Sequence, residues 1–417
     1  MSSPPPTPPA RLRRELGVGD AIVIGLGSMI GAGIFVALAP AAAAAGSGLL
    51  IGLVVAALVA YCNATSSARL AARHPTSGGT YVYGRERLGD FWGYQAGWMF
   101  VVGKTASGAA MALTVGVYLW PGQAHAVAAA TVVAITALNY LGVQKSAWVS
   151  RLIVAFTLAV LTLVIVTSVG SGSADPGSLA IGSDIGVLGV LQAAAILFFA
   201  FAGYARIATL GEEVRNPTRA IPRAILGALG ITLAVYAAVA VTAVAVLGPQ
   251  TLAHESAPLV ALVRTAGMAW MEPVVRVAAA VAAIGALVAM ILGISRTVLA
   301  MARNGHLPRT LAAVHPRRHI PHRAEIVVGA VVAVVAAAAD VRTAIGFSSF
   351  GVLLYYALAN ASAWTLSRSE NRPPRIVPVV GFIGCIMLAA VLPIDSVIGG
   401  AAVAVVGGMA YLLRRRE

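Results

Sequence analysis

GSMIGAGIF (27–35), preceded by Gly25, lies inside an apolar run that extends from residue 20 to residue 42. The run is long enough to cross a bilayer as a helix, which takes about 20 mostly apolar residues. Each glycine costs about 1 kcal/mol relative to alanine in a helix interior. Four of them, Gly25, Gly27, Gly31 and Gly33, in so short a stretch have two physical readings. One is close packing of helix on helix through small residues spaced by four. The other is an interruption of the helix at mid-membrane.

A second string favours interruption. FFAFAGY (198–204), followed by Arg206, falls in the middle of a later apolar run at 187–213. Eleven further runs besides the first can be drawn, at 47–71, 91–119, 123–141, 147–169, 187–213, 223–247, 273–302, 324–340, 342–367, 376–392 and 395–413. The run at 20–42 heads the first group of five and the run at 187–213 heads the second. Matching interruptions in two halves point to an inverted-repeat carrier with its site near the bilayer midplane. The parity agrees, because the first helix and the sixth cross in opposite directions.

Composition supports a membrane-embedded chain. Of 417 residues, 59% are hydrophobic and 11% charged, where a soluble domain has about 25% charged. Mean hydropathy is +0.87. The net charge of +14 would suggest nucleic acid in a soluble protein, but its placement follows the membrane. With the N-terminus in the cytoplasm, 23 of the 29 Lys and Arg fall on the cytoplasmic side. Arg264, Arg276 and Arg342 fall outside, and Lys104, Arg206 and Arg296 lie within helices. This is the positive-inside pattern, and it places both termini in the cytoplasm of a multi-pass cell-membrane protein with no nucleic-acid partner. Arg11, Arg13 and Arg14 ahead of Ala37-Leu-Ala39-Pro40 also fit a cleaved leader. Cleavage would discard a glycine cluster that has a counterpart at 198–204, so the run is read as the first membrane helix. Cys62 and Cys385 sit in apolar runs and read as small buried hydrophobes. No spacing suggests a metal or a cofactor.

An unwound turn frees backbone N–H and C=O groups from helical partners. In lipid these must face protein or a wet cavity. N–H groups at a half-helix N-terminus suit a carboxylate, and carbonyls at a half-helix C-terminus suit an ammonium. The pair suits an α-amino acid.

Four strings together resemble the amino acid–polyamine–organocation (APC) superfamily of permeases. They are GSMIGAGIF (27–35), FFAFAGY with GEEVRNPTRAIPRAI (198–204 and 211–225), PTSGGTY (75–81) and AMARNGHLP (300–308). The resemblance spans nearly the whole chain. It implies an all-α integral membrane fold of 12 transmembrane helices. This would be a five-plus-five inverted-repeat, leucine-transporter-like core at 20–169 and 187–367, with two peripheral helices in 376–417 and a disordered cytoplasmic tail at 1–19. By similarity, Gly31, Ala32 and Gly33 offer N–H groups to the substrate carboxylate. Carbonyls of Met29, Ile30, Phe199, Ala200 and Ala202 receive the ammonium around Gly203. Phe201 and Tyr204 either gate the site and line its pocket or pack in the core.

Three residues bear on coupling. Lys104 lies midway along its helix, roughly 20 Å from either interface at 1.5 Å per residue, beyond the reach of snorkelling. It reads as a proton-coupling group, as a fixed cation in place of sodium, or as a structural ammonium held by carbonyls. The lysine that some proton-coupled relatives carry in the fifth helix is absent, and Thr157 stands there. Arg206 stands where the family usually has a small residue, and it either attracts an acidic substrate, locks the inner gate or pairs with carbonyls.

The carboxylates Asp20, Asp90, Asp184, Glu212, Glu213, Glu272, Asp340 and Asp395 lie at helix ends or in loops. With no Asp or Glu at mid-membrane, a neutral amino acid is the simplest substrate, then an acidic one, then an amine or polyamine. The expected ion partner is H+, with Na+ second. Glu212 and Glu213 near Arg215 and Arg219 form a latch or are simply solvated. The histidines read as solvated. A major facilitator fold would need a G-x-x-x-D-R-x-G-R loop after the second helix, whereas RHPTSGGTYVYGRERLG stands there. An enzyme would need a mid-membrane Ser/His/Asp or paired-carboxylate set, and a channel would need a filter repeated by oligomerisation. The expectation is therefore a non-enzymatic secondary transporter.

Overall fold

The computed structural model describes residues 16–74, 78–141, 147–180, 182, 185–208, 213–318 and 320–414. The N-terminal tail with Arg11, Arg13 and Arg14 lies outside the described residues, as do Pro75, Lys145, Asp184, Gly211, Glu212, His319, Arg415 and Arg416.

Helices form the whole framework. The first apolar run gives three pieces, α1 (Val18–Met29), α2 (Gly33–Val36) and α3 (Leu38–Ala45). Then come α4 (Leu49–Arg73), α5 (Thr80–Leu88), α6 (Asp90–Leu119), α7 (Ala124–Tyr140) and α8 (Ala147–Gly170). The sixth run gives α9 (Val187–Phe201), a 3-10 turn at Ala202–Tyr204 and α10 (Ala205–Ala208). The remainder is α11 (Pro217–His254), α12 (Pro258–Thr265), α13 (Glu272–Arg303), α14 (His322–Ala338), α15 (Val341–Trp364), α16 (Ile376–Ala390) and α17 (Ile394–Arg414).

Among the described residues, ten of these segments are long and apolar enough to cross a membrane. The expected ninth and eleventh helices form as α14 and α16, with 17 and 15 residues. Both fall short of the length of about 20 residues for a straight crossing. The first turn of α14 carries His322, Arg323 and Glu325. Helix α16 stops short of Pro393, because the residue before a proline is pushed out of the α region.

Other boundaries differ from the sequence expectation. The expected loop at 248–270 is largely helical: α11 continues to His254 across a break at Gly248, where φ is 71°, and α12 follows. Gly248 takes the positive φ at no steric cost and Pro249 starts the next turn. The loop after α4 contains α5, which ends at Gly89 with φ 100°. The sixth helix was expected to reach 213. Instead Glu213 and Val214 run alongside the N-terminal segment. Leu16 N–H donates to the Glu213 carbonyl at 3.1 Å and Arg215 N–H to the Leu16 carbonyl at 2.9 Å.

Burial separates interior from rim. The apolar windows of α6 and α15 are each 78% buried, against 17% for the α7 segment and 22% for α17. Helices α6 and α15 approach through glycine. A Cβ at Gly103 would lie 3.1 Å from Val352 N, and one at Gly351 would lie 3.1 Å from Met99 O. Association in lipid rests on such close packing and on interhelical hydrogen bonds. Here Ser107 and Ser348 pair their hydroxyls beside the glycines. Asn63, Ser66 and Asn360, buried between α4, α15 and α16, are likewise paired. Asn360 donates to Asn63 at 2.6 Å, Ser66 to Asn360 at 2.7 Å, and Asn63 to the Cys385 sulfur at 3.2 Å. Both cysteines are buried and free.

One histidine departs from the solvated expectation. His306 is buried, with Nδ1 2.9 Å from the Tyr81 hydroxyl and Nε2 2.9 Å from Asp90 Oδ2. Local sequence placed it in a loop after the eighth helix, but that loop folds under α5 and the start of α6.

Candidate functional site

The two interrupted helices lie against each other at their breaks. Ile30, which ends α1, has φ −82° and ψ 57°, so the chain leaves the helix there and re-enters at Gly33. No backbone hydrogen bond from the Gly31, Ala32 or Gly33 N–H groups is present among the described residues, as befits donors at the start of a new helix. On the other chain segment, α9 gives way to the tight turn Ala202–Tyr204. Contact between the breaks needs glycine on both sides. A Cβ at Gly33 would stand 2.6 Å from Ala200 Cβ, and one at Gly203 would collide with the Ser28 carbonyl.

The carbonyls at these breaks are already engaged by side chains of the protein. Lys104 Nζ donates to the Ala202 carbonyl at 3.1 Å, and the Tyr356 hydroxyl donates to the same oxygen at 3.2 Å. The Tyr236 hydroxyl sits 2.5 Å from the Met29 carbonyl and 3.1 Å from the Ala200 carbonyl, so its one proton is shared between the two breaks. Tyr118 donates to the Phe35 carbonyl at 2.8 Å. The Phe199 carbonyl accepts from Ala202 N–H. These contacts satisfy backbone groups that would be costly to leave unpaired in a membrane. They also place a protein ammonium at the second break.

Two cavities meet here. A small one of about 10 Å³, room for a single water, is bounded by Met29, Ala32 and Gly33 from the first break and Phe199, Ala200 and Gly203 from the second. Lys104, Ser107, Met111 and Met290 complete much of the rest. A larger vestibule of about 480 Å³ shares Ser28, Lys104, Gly203 and Met290 with it. The vestibule runs along α13 past Arg206 and Arg296 to Arg303 and Asn304, on the arginine-rich side of the molecule.

The expected residues separate into groups. Met29, Ala32, Gly33, Phe199, Ala200, Ala202, Gly203, Lys104 and Arg206 reach the cavity walls. Ile30 and Gly31 lie between them in sequence, with Ile30 2% exposed and a Cβ at Gly31 blocked by Ala286 at 2.7 Å. Phe201 and Tyr204 line neither cavity. Both are fully buried, packed at a tilt against Tyr236 and Tyr356, with ring centroids 5.1 Å and 5.0 Å apart. Thr157 also stays out of the walls, with its hydroxyl donated to the Ile153 carbonyl of its own helix at 2.8 Å.

Four participants escaped the sequence expectation. Tyr118, Tyr236 and Tyr356 were single aromatics in apolar runs. The available signal was chemical: a tyrosine hydroxyl at membrane depth needs a partner. The fourth is Glu325, in the first turn of α14 and 0% exposed. Neither of its carboxylate oxygens has a hydrogen-bond partner among the described residues, so a buried carboxylate does exist within the helical body. Its place near a predicted helix end concealed it, because the end of α14 is covered by α7 and α13.

The amino acid permease family model matches residues 16–411 of this chain. An uncharacterized transporter of Mycobacterium tuberculosis is 71% identical, over 98% of this chain and 92% of that protein. The branched-chain amino acid permease of Bacillus subtilis is 27% identical, over 97% of this chain and 94% of its own length. Human cationic amino acid transporter 4 is 28% identical, over 87% of this chain and 61% of its own length.

Proposed function

The chain belongs to the amino acid permease family, and from that membership we propose that it is a secondary active transporter of amino acids working by alternating access around the two helix breaks. The observation that carries this reading is the small cavity bounded by both breaks at the inner end of a vestibule. In the proposed binding mode, the Gly31, Ala32 and Gly33 N–H groups hold the substrate carboxylate. Its ammonium competes with the Tyr236 hydroxyl for the Met29 and Ala200 carbonyls. Met111, Met290 and Phe199 give the small cavity an apolar wall that suits a neutral side chain.

The proposed frame is a twelve-helix protein of the cell membrane with both termini cytoplasmic. Its two five-helix halves, 20–169 and 187–367, are inverted repeats, and helices 11 and 12 are peripheral. The vestibule then opens to the cytoplasm. Lys104 supplies a cation at the second break, and transport is coupled to H+ or proceeds by exchange. Thr157, with its hydroxyl turned to its own helix, supports sodium ligation less well than Lys104 supports a fixed charge. No bond-breaking chemistry is proposed.

The test is uptake of a panel of labelled amino acids into proteoliposomes, with and without a proton gradient and with sodium varied. Accumulation that follows the proton gradient, or exchange independent of it, is the expected result. No uptake or exchange of any amino acid or amine would sink the reading.

A further inference from the structure

An apolar groove of about 440 Å³ lies between α7 and α14, away from both breaks. Val133, Ala137 and Tyr140 wall it from α7, and Ile326, Gly329 and Ala330 from α14. The spacing by three and four residues puts each set on one helix face. The helices touch along its floor, where a Cβ at Gly329 would collide with Thr136. The Thr136 hydroxyl donates to the Val132 carbonyl of its own helix at 2.8 Å, so the groove presents carbon. The α7 segment is 17% buried, so this face meets lipid. From Val133 to Tyr140 the groove runs about 10 Å along α7, against about 15 Å for one leaflet's half of the hydrocarbon core.

Arginine closes the groove at one end. Arg318 Nη1 donates to the Tyr140 carbonyl at 2.8 Å, and the guanidinium carbon lies 4.9 Å from the centre of the Tyr140 ring. A guanidinium has five donors, so most remain for another acceptor. Arg323 stands one turn before Ile326, in the first turn of α14, on the groove face. Both arginines are exposed, and neither takes part in an ion pair among the described residues. The chain holds no Asp or Glu from 91 to 174 or from 273 to 324, which covers α7, the residues after it and the loop that carries Arg318. Glu325 is 0% exposed and lines no part of the groove. The positive-inside bias accounts for arginine in that loop. It does not account for a guanidinium laid on a groove residue.

We propose that this groove binds an anionic phospholipid, with one acyl chain along the seam of α7 and α14 and the headgroup phosphate on Arg318 and Arg323. The planar guanidinium meets a phosphate through two parallel hydrogen bonds, and basic pockets between membrane helices hold anionic headgroups. A zwitterionic headgroup brings its own ammonium, which the two arginines repel. The groove shares no residue with the cavities at the breaks, so the site is independent of which amino acid the protein carries.

The experiment offers the full-length protein in detergent equal amounts of phosphatidylglycerol and phosphatidylcholine with identical acyl chains, and native mass spectrometry counts the lipid retained. Phosphatidylglycerol is expected to be retained about tenfold over phosphatidylcholine, with the preference shrinking as salt is raised. Arg318→Gln and Arg323→Gln should each lower that ratio about threefold. Arg318→Lys, which keeps the charge, should retain most of the ratio and so separates lost charge from lost folding. Ala330→Trp, which fills the groove, should lower the retention of both lipids. Arg368→Gln combined with Arg372→Gln, on the arginine-rich side but outside the groove, should leave the ratio unmoved. Equal retention of the two lipids would overturn the inference. So would a ratio that Arg318→Gln and Arg323→Gln leave unmoved, an equal loss in the Arg368 and Arg372 pair, or full retention in Ala330→Trp.

Discussion

The two helix breaks differ in what satisfies their backbone. At the first, the N–H groups of Gly31, Ala32 and Gly33 make no backbone hydrogen bond among the described residues, and the Met29 carbonyl accepts the shared Tyr236 proton. At the second, the Ala202 carbonyl accepts from both Lys104 and Tyr356. The first break therefore leaves amide donors without a backbone acceptor, while the second has a lysine of the protein on its carbonyl. A site assembled from two interruptions need not be symmetric in charge. Here one face is bare amide and the other carries an ammonium.

The largest disruption of this comparison should come from forcing the breaks apart. Gly203→Val places a branched side chain against the Ser28 carbonyl, and a misplacement of about 1 Å at a site can cost about a hundredfold in rate. Amino acid exchange by Gly203→Val should fall by that order, while the protein still elutes as a monodisperse species in detergent. Retained exchange would mean that the breaks do not need to touch.

Next is the ammonium. Lys104→Ala removes a charge-assisted hydrogen bond of the kind worth about 1.5–3 kcal/mol, so exchange should drop about tenfold or more. If Lys104 is the coupling group, the pH dependence of uptake should also flatten in Lys104→Ala and in Lys104→Gln. An unchanged rate and pH profile would reduce the lysine to a dispensable clamp and make the two breaks equivalent.

A smaller effect is expected at the shared proton. Tyr236→Phe deletes a neutral hydrogen bond worth about 1 kcal/mol, which is about fivefold in rate if it acts in the transport cycle. Because the hydroxyl touches both breaks, the loss should exceed that of Tyr118→Phe, whose hydroxyl donates to the Phe35 carbonyl beyond the first break. Equal losses would show that Tyr236 does not couple the two.

The smallest effect belongs to a region remote from both. Glu370 joins Arg73 of α4, at 3.0 Å, and Arg87 of α5 on the arginine-rich surface. The Arg87 guanidinium, the Ser367 backbone N–H and Arg73 hold its carboxyl well below the ordinary value of 4.5. A depressed carboxylate contributes stability that is present above the ordinary value and is lost as pH falls through the folded one. Glu370→Gln should therefore lower the melting temperature slightly and by a constant margin from about pH 6 to about pH 8, with the margin closing only in acid. Exchange rates should not move, since Glu370, Arg73 and Arg87 line neither cavity at the breaks.

Much of this architecture was legible in the chain. The apolar runs marked each segment that folds as a long helix, because a bilayer-length stretch of Ala, Val, Leu and Ile has few alternatives to helix. Both breaks were legible from Gly31 to Gly33 and from Ala202 to Tyr204, since glycine next to small residues weakens a helix wherever it stands. Lys104 was legible as a buried charge. The partners of these groups were not. Nothing local joins Tyr236 to Met29, 207 residues away in sequence, or Lys104 to Ala202, 98 residues away. His306 was misplaced and Glu325 passed over for the same reason: each stands near a helix end, and whether an end is wet depends on what folds over it.

The sequence by itself determined that this chain spans a membrane many times, that its first and sixth helices are interrupted, and which backbone groups those interruptions release. Periodicity, hydropathy and glycine content act over a few residues and need no tertiary knowledge. Only the tertiary structure decided that the released carbonyls are taken by Lys104, Tyr236 and Tyr356, and that Phe201 and Tyr204 pack against tyrosines in the core. It alone lined one vestibule with Lys104, Arg206, Arg296 and Arg303. Hydrogen bonds and fields depend on distances of a few ångströms between residues far apart in sequence, and those distances exist only once the helices have packed.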